Sequence, residues 1–144
     1  GFGPAVQRML GAVEAVHLWG LFRHRVAPRW VGGHCALLGD AAHPTLPYLA
    51  QGANMALEDA WALGACLAGH EDIGAGLAAY QALRMARCQK IVAAATGNAW
   101  KYHLRPGPLR LAAHTALRLG ARLAPARALR QFDWLYGYDV TRAV

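Results

Sequence analysis

The sequence predicts an α/β chain that is mostly helical, and three observations carry that reading. Ala36-Leu37-Leu38 is a short apolar run closed by Gly39-Asp40, which suits a buried strand. Pro44 and Pro47 then bar regular structure from most of residues 41–51. From Gly52 onward apolar residues recur at helical spacing among many alanines. The central element is therefore strand, long loop, helix, within a chain of one or two short strands and three to four helices. In open α/β sheets ligands lie off the carboxyl ends of strands, where such a loop sits. An Asp at that edge can accept hydrogen bonds from two hydroxyls of a sugar or sugar alcohol.

The remaining elements follow in order. A Gly/Pro opening leads into a helical stub at Ala5–Leu10. Val13–Phe22 alternates imperfectly and is rich in aromatic and β-branched residues, so it is read as a strand with two apolar faces, covered on both sides or lining a pocket. Arg23–His34 is a basic connector with Pro28 and Gly32-Gly33. Its Arg23, Arg25 and Arg29 suit either a phosphate or plain solvated surface. The first long helix spans Gly52–Ala68. The second starts at Ile73, capped by Asp72, and runs to about Ala95–Trp100. Its apolar stripe is Ile73, Leu77, Tyr80, Leu83, Ala86/Arg87, Ile91 and Ala94/Ala95, with Arg84, Arg87 and Lys90 on the flank. Gly74–Ala79 formally matches a G-x-G-x-x-A fingerprint, but no strand feeds it, so it is rejected as a dinucleotide site. A third helix begins at Pro108, a favoured first position, and ends at Pro125. Leu109, Ala112, Ala116, Leu119 and Leu123 form its apolar side, and Arg110, His114, Arg118 and Arg122 step along another. A last helical piece, Ala126–Leu135, runs into the aromatic-acidic ending Trp134–Asp139.

Bulk properties narrow the function classes. The 144 residues fit one domain or a piece of one, and 56% apolar content supports a sizeable core. The chain opens at Gly1 rather than Met and is read as a fragment. Formal charge is +7, with +6 of it in residues 101–144. That basic end suits nucleic acid, an anionic surface, a solvated helix face, or an acidic surface elsewhere in a longer protein. Three cysteines without CxxC spacing, Cys35, Cys66 and Cys88, argue for structural thiols in a reducing, cytoplasmic compartment. No apolar run is long enough to span a membrane, and no secretory signal is visible. No metal-ligand spacing and no nucleophile-elbow or Cys-His arrangement is present in the sequence.

Four sub-motifs stand in order over one short span: Gly39-Asp40-Ala41-Ala42-His43-Pro44, then Pro47, then Gln51-Gly52-Ala53-Asn54, then Glu58-Asp59-Ala60. This stretch resembles the second flavin-binding motif of the group A FAD-dependent aromatic monooxygenases, most of all the salicylate and hydroxybenzoate hydroxylase branch. The Trp30 position and the Trp134–Asp139 ending extend the resemblance more weakly over most of the chain. It implies the C-terminal part of a Rossmann-like FAD-binding fold. Residues 1–24 would close the substrate-domain sheet, residues 25–100 would belong to the FAD domain, and residues 101–144 would form a basic helical end. It further implies FAD as cofactor, NAD(P)H as co-substrate, O2 and a small aromatic acid or phenol as substrates, and oxygen transfer through a flavin C4a-hydroperoxide. A homodimer stays open.

The resemblance assigns roles residue by residue. Gly39 and Asp40 belong to the ribityl contact, with Asp40 accepting from a ribityl hydroxyl. Gly52, Ala53 and Asn54 open the first long helix, where free N–H groups and the helix dipole suit the electron-rich edge of reduced flavin. His43, Pro44 and Pro47 lie along the ring, Pro44 and Trp19 (with Phe22) towards substrate, and the rigid prolines help exclude water. No residue is expected to act as a catalytic group, because the cofactor carries the chemistry. His43 is read as structural although no carboxylate partner is identifiable, and Glu58 and Asp59 as structural acids complementing the helix dipole or pairing with an Arg. Two further readings compete. One is a non-catalytic helical module whose basic face binds nucleic acid or an anionic surface. The other is a flavoprotein of the same fold with a non-aromatic substrate.

Overall fold

The computed structural model describes residues 2–143, apart from the side chains of residues 128 and 129. Helix α1 (Pro4–Gly11) is followed by a hairpin of β1 (Val31–Gly32) and β2 (Cys35–Ala36), then the loop with short 3₁₀ turns at Gly39–Ala41 and Pro47–Leu49. Helices α2 (Gly52–Ala68), α3 (Ile73–Tyr102), α4 (Pro108–Leu123), α5 (Pro125–Arg130) and α6 (Asp133–Tyr136) complete the chain, with a last 3₁₀ turn at Val140–Arg142. A mostly helical α/β chain with two short strands is what the sequence predicts.

The fold centres on the antiparallel pair α2 and α3. Met55, Asp59, Ala62 and Cys66 of α2 face Leu77, Tyr80, Arg84, Cys88, Ile91 and Ala95 of α3, and all are buried. Both sets step by three and four residues, which is one face of a helix. The helices meet most closely at Gly76, where a Cβ would lie 3.1 Å from the Cys66 carbonyl oxygen and 3.3 Å from Leu67 Cα. The glycine fingerprint rejected above is thus a packing feature. Asp72 caps α3 as expected, its carboxylate accepting from the Ala75 N–H at 2.7 Å. Trp30 closes the core from the hairpin side. Its backbone N–H donates to Gln81 Oε1 at 2.6 Å, and its ring lies 5.3 Å from that of His43 and 5.9 Å from that of Tyr80.

Several expectations are corrected. Val13–Phe22 forms no strand: it is exposed throughout, and none of the described residues runs beside it to complete a ladder. Trp19 is accordingly 82% exposed, and Phe22 is exposed too. The buried strand read at Ala36–Leu38 pairs only over Cys35–Ala36, in register with Val31–Gly32, and Leu37 and Leu38 stay about 40% exposed. Their backbone is held nevertheless, with the Leu37 N–H on the Trp30 carbonyl and the Leu37 carbonyl on the Tyr80 hydroxyl. Ile73 is exposed, and Arg84, placed on the flank of α3 from sequence, is fully buried because it has acidic partners on α2. The last helical piece breaks into α5 and α6. Helix α4 buries no residue, so its Leu109, Leu119 and Leu123 lie in the open.

The burial pattern makes a contrast in stability. Ile91→Ala should lower the unfolding free energy by about 2–5 kcal/mol, whereas Leu119→Ala on α4 should change it by less than about 0.5 kcal/mol. Urea titrations of the two variants check this.

Candidate functional site: the loop and the tip of helix α2

The loop carrying Asp40 is built onto α2 by glycine. Gly39 has φ +58, a left-handed conformation that glycine adopts freely, and a Cβ there would sit 3.3 Å from Ala56 Cβ. The Ala42 and His43 N–H groups both donate to the Gly39 carbonyl, at 3.0 and 2.9 Å, closing a tight turn with Asp40 at its outer edge. Asp40 is exposed, and its Oδ1 lies 3.9 Å from where a Cβ on Gly52 would be. The carboxylate and the first residue of α2 are therefore neighbours. A Cβ at position 52 would stand in ordinary contact with Asp40 and with Thr45 Cγ2, at 3.7 Å.

The α2 tip is open. Gln51 at the cap position provides no side-chain cap, because its Oε1 accepts from the Asn54 amide at 3.1 Å instead. The first-turn N–H groups of Gly52, Ala53 and Asn54 keep their partial positive charge for another partner. Pro44 is half-buried and Pro47 exposed. The far end of the loop is pinned elsewhere. Tyr48 stacks on Tyr102 at 5.0 Å and its hydroxyl is hydrogen-bonded to His103 Nε2 at 2.9 Å, while Ala50 takes φ 51 to turn the chain into α2. The structure thus brings Gly39, Asp40, Gly52, Ala53 and Asn54 into one neighbourhood. It leaves Trp19 on a separate exposed segment, without contact to them.

Beneath this site lies a buried ion cluster that sequence reasoning saw only in part. Asp59 Oδ2 accepts from the Gly39 N–H at 2.9 Å and from His43 Nε2 at 2.5 Å, and its Oδ1 accepts from Arg84 Nε at 2.9 Å. Arg84 Nη2 reaches Glu58 Oε2 at 2.7 Å, and Arg87 grips Glu58 with two nitrogens at 2.8 and 2.9 Å. Arg87 also donates to the Trp134 and Leu135 carbonyls and lies 3.7 Å over the Tyr138 ring. Of the two structural roles read for Glu58 and Asp59, pairing with an Arg is the one the structure shows. They sit beyond the first turn of α2, and the arginines are those of α3. The missing carboxylate partner of His43 is Asp59. The available signal was a charge, Arg84, standing on the apolar stripe of α3 opposite two acids of α2.

The cluster shifts its own titrations. Burial works against charge on His43, yet the hydrogen bond to Asp59 and the neighbouring Cys88 outweigh it and push the imidazole pKa up to about 10. Burial also opposes charge on Asp59, but His43, the Gly39 N–H and Arg84 hold its carboxyl below the usual carboxylate range. His43, Asp59 and Cys88 place potential ligand atoms within 4.8 Å of one another. A metal there would have to displace Arg84, which already donates to Asp59 and lies 3.7 Å from Cys88 Sγ. The donor set reads as an ion cluster.

Comparison with known proteins now places the chain. It belongs to the FAD binding domain family, whose model matches residues 5–95. It is 38% identical over 141 residues to a 3-amino-4-hydroxybenzoate 2-monooxygenase of Streptomyces platensis, covering 96% of this chain and 34% of that protein. It is 37% identical over 142 residues to 3-hydroxybenzoate 6-hydroxylase 2 of Aquipseudomonas alcaligenes, covering 95% and 42%. A 6-hydroxynicotinate 3-monooxygenase of Pseudomonas fluorescens is 38% identical over 105 residues, covering 69% of this chain and 26% of that protein. The chain spans about a third of the length of such relatives.

A pH dependence follows. The folded pKa of His43 lies above its ordinary 6.5, so its contribution to stability is complete below pH 6.5 and is lost as pH rises towards 10. The depressed Asp59 pKa works in the opposite sense, at acid pH, below its ordinary 3.8. Stability measured by urea unfolding should therefore decline between pH 6.5 and 10, and His43→Gln should flatten that decline.

Proposed function

We propose that this chain is the C-terminal part of an FAD-dependent monooxygenase that hydroxylates an aromatic acid or phenol, with NAD(P)H as reductant. The single observation that carries the reading is the pairing of the exposed Asp40 carboxylate with the uncapped tip of α2, across the gap left by Gly52. The donor set fits FAD. A carboxylate accepts from ribityl hydroxyls, and a glycine-opened helix tip offers N–H groups to the pyrimidine edge of the flavin. The family match and the aromatic substrates named for the relatives favour this reading over a same-fold protein with a non-aromatic substrate.

In this reading Gly39 and Asp40 hold the ribityl chain, and Gly52, Ala53 and Asn54 hold the ring edge and favour its reduced, electron-rich form through the helix dipole. Pro44 and Pro47 form a stiff wall, and His43, fully buried, lies out of reach of the ring. The two prolines bring no N–H donors to the wall, which helps to keep water from the reacting centre. Bound FAD, once reduced by nicotinamide, supplies oxygen activation and the transfer of one oxygen atom to the ring. Residues 1–24, with Trp19, belong to the substrate-domain side, residues 25–100 to the FAD domain, and residues 101–144 to a basic C-terminal segment. Trp19 and Pro44 face the aromatic substrate once the remainder of the enzyme is in place. The 144 residues alone bind FAD poorly and do not turn over.

The test is flavin binding by the longer parent protein. The wild type should retain FAD on purification, and Asp40→Ala should weaken FAD by roughly ten- to a hundredfold, the worth of about 1.5–3 kcal/mol for a charge-assisted hydrogen bond. A parent that binds no flavin, or an Asp40→Ala variant that binds it as tightly, contradicts the assignment.

A further inference from the structure

Resting on the reading that Asp40 and the α2 tip hold the flavin, we infer that Asp59 and His43 form a positioning pair that presets Asp40 for the ribityl chain. Asp59 is not itself one of the proposed FAD contacts. Its carboxylate instead takes both ends of the turn that carries Asp40: the Gly39 N–H before it, at 2.9 Å, and the His43 imidazole after it, at 2.5 Å. The third donor, Arg84 Nε at 2.9 Å, fixes the carboxylate from α3. Asp59, His43 and Arg84 are all fully buried, so water does not compete for these contacts.

The geometry makes this pinning specific to the Asp40–Gly52 spacing. Asp59 lies two turns along α2 from Gly52, on the same rigid helix. Anchoring the turn to Asp59 therefore anchors Asp40 to the tip of that helix. The turn also rests on Ala56, between the two, through Gly39. With the side chain of residue 43 removed, one of the two tethers is gone and Asp40 is free to drift from Gly52. The other half of the cluster, Glu58 with Arg87, ties α2 and α3 to the C-terminal Trp134–Leu135 backbone and has no contact with the turn. Glu58 also accepts from Arg84 and, at 3.3 Å, from the Asn54 amide, so the control for lost stability is placed instead at Gly76, opposite the far end of α2, where an added Cβ would lie 3.1 Å from the Cys66 carbonyl oxygen.

The experiment measures FAD dissociation constants and thermal midpoints in the flavin-loaded parent protein for His43→Ala, His43→Gln, Gly76→Ala, Asp40→Ala and the double variant Asp40→Ala/His43→Ala. His43→Ala should weaken FAD about tenfold. His43→Gln, whose amide nitrogen reaches the position of Nε2, should recover binding to within about threefold. Gly76→Ala should lower the thermal midpoint while leaving FAD affinity unchanged. Because His43 acts through Asp40, the double variant should bind no more weakly than Asp40→Ala alone. The inference is overturned if His43→Ala binds like wild type, if Gly76→Ala weakens FAD equally, or if the effects of Asp40 and His43 simply add. Those outcomes leave the flavin assignment intact, whereas an Asp40→Ala variant with wild-type affinity removes the assignment and the inference together.

Discussion

Three donors meeting on one buried carboxylate, Asp59, hold the loop, the hairpin end and the two long helices in a single arrangement. Such a cluster is expensive to bury. Each ion loses its hydration, and the loss is recovered only when every partner is present with good geometry. That makes the arrangement all-or-none. If the Arg84 side chain leaves, Asp59 becomes an uncompensated buried charge. If the Gly39 N–H leaves, the loop loses its seat on α2. An apolar core of the same volume would hold α2 against α3 as well, but it would not select one position for residues 39–43.

The rest of the molecule complements this constraint. Gly39 lets the loop settle against the Ala56 methyl of α2, and Gly76 lets the backbones of α2 and α3 approach. Trp30, whose ring lies 5.3 Å from that of His43, and the buried Tyr80 lend the cluster apolar surroundings, which keeps the local dielectric low and strengthens its hydrogen bonds. Tyr48 and Tyr136 secure the second half of the loop, the latter donating to the Leu49 carbonyl at 3.4 Å. Asp40, the uncapped tip of α2 and Pro47 stay exposed above this frame. Helix α4 stands apart from this logic, since it buries nothing in the described chain.

Local chemistry was the most legible part of the sequence. The bounds of α2, the cap at Asp72, Pro108 at the head of α4 and the proline loop all follow from rules that act over a few residues. The residues of the candidate site could be grouped because they lie within sixteen positions of one another, Gly39 to Asn54. Long-range pairing was less visible. Arg84 reads as a flank residue by type, and only its place in the series Leu77, Tyr80, Arg84, Cys88 and Ile91 reveals it as core. The Val13–Phe22 strand failed for a related reason. Alternation states that a segment can pair, while the partner that would pair with it is absent from the described residues.

The most direct measurement is a crystal structure of the parent protein with FAD bound. The account predicts an Asp40 oxygen within hydrogen-bond distance of a ribityl hydroxyl, and the N–H groups of residues 52–54 directed at the pyrimidine edge of the ring. A flavin seated away from the α2 tip, or an Asp40 carboxylate turned from the ribityl chain, would contradict it.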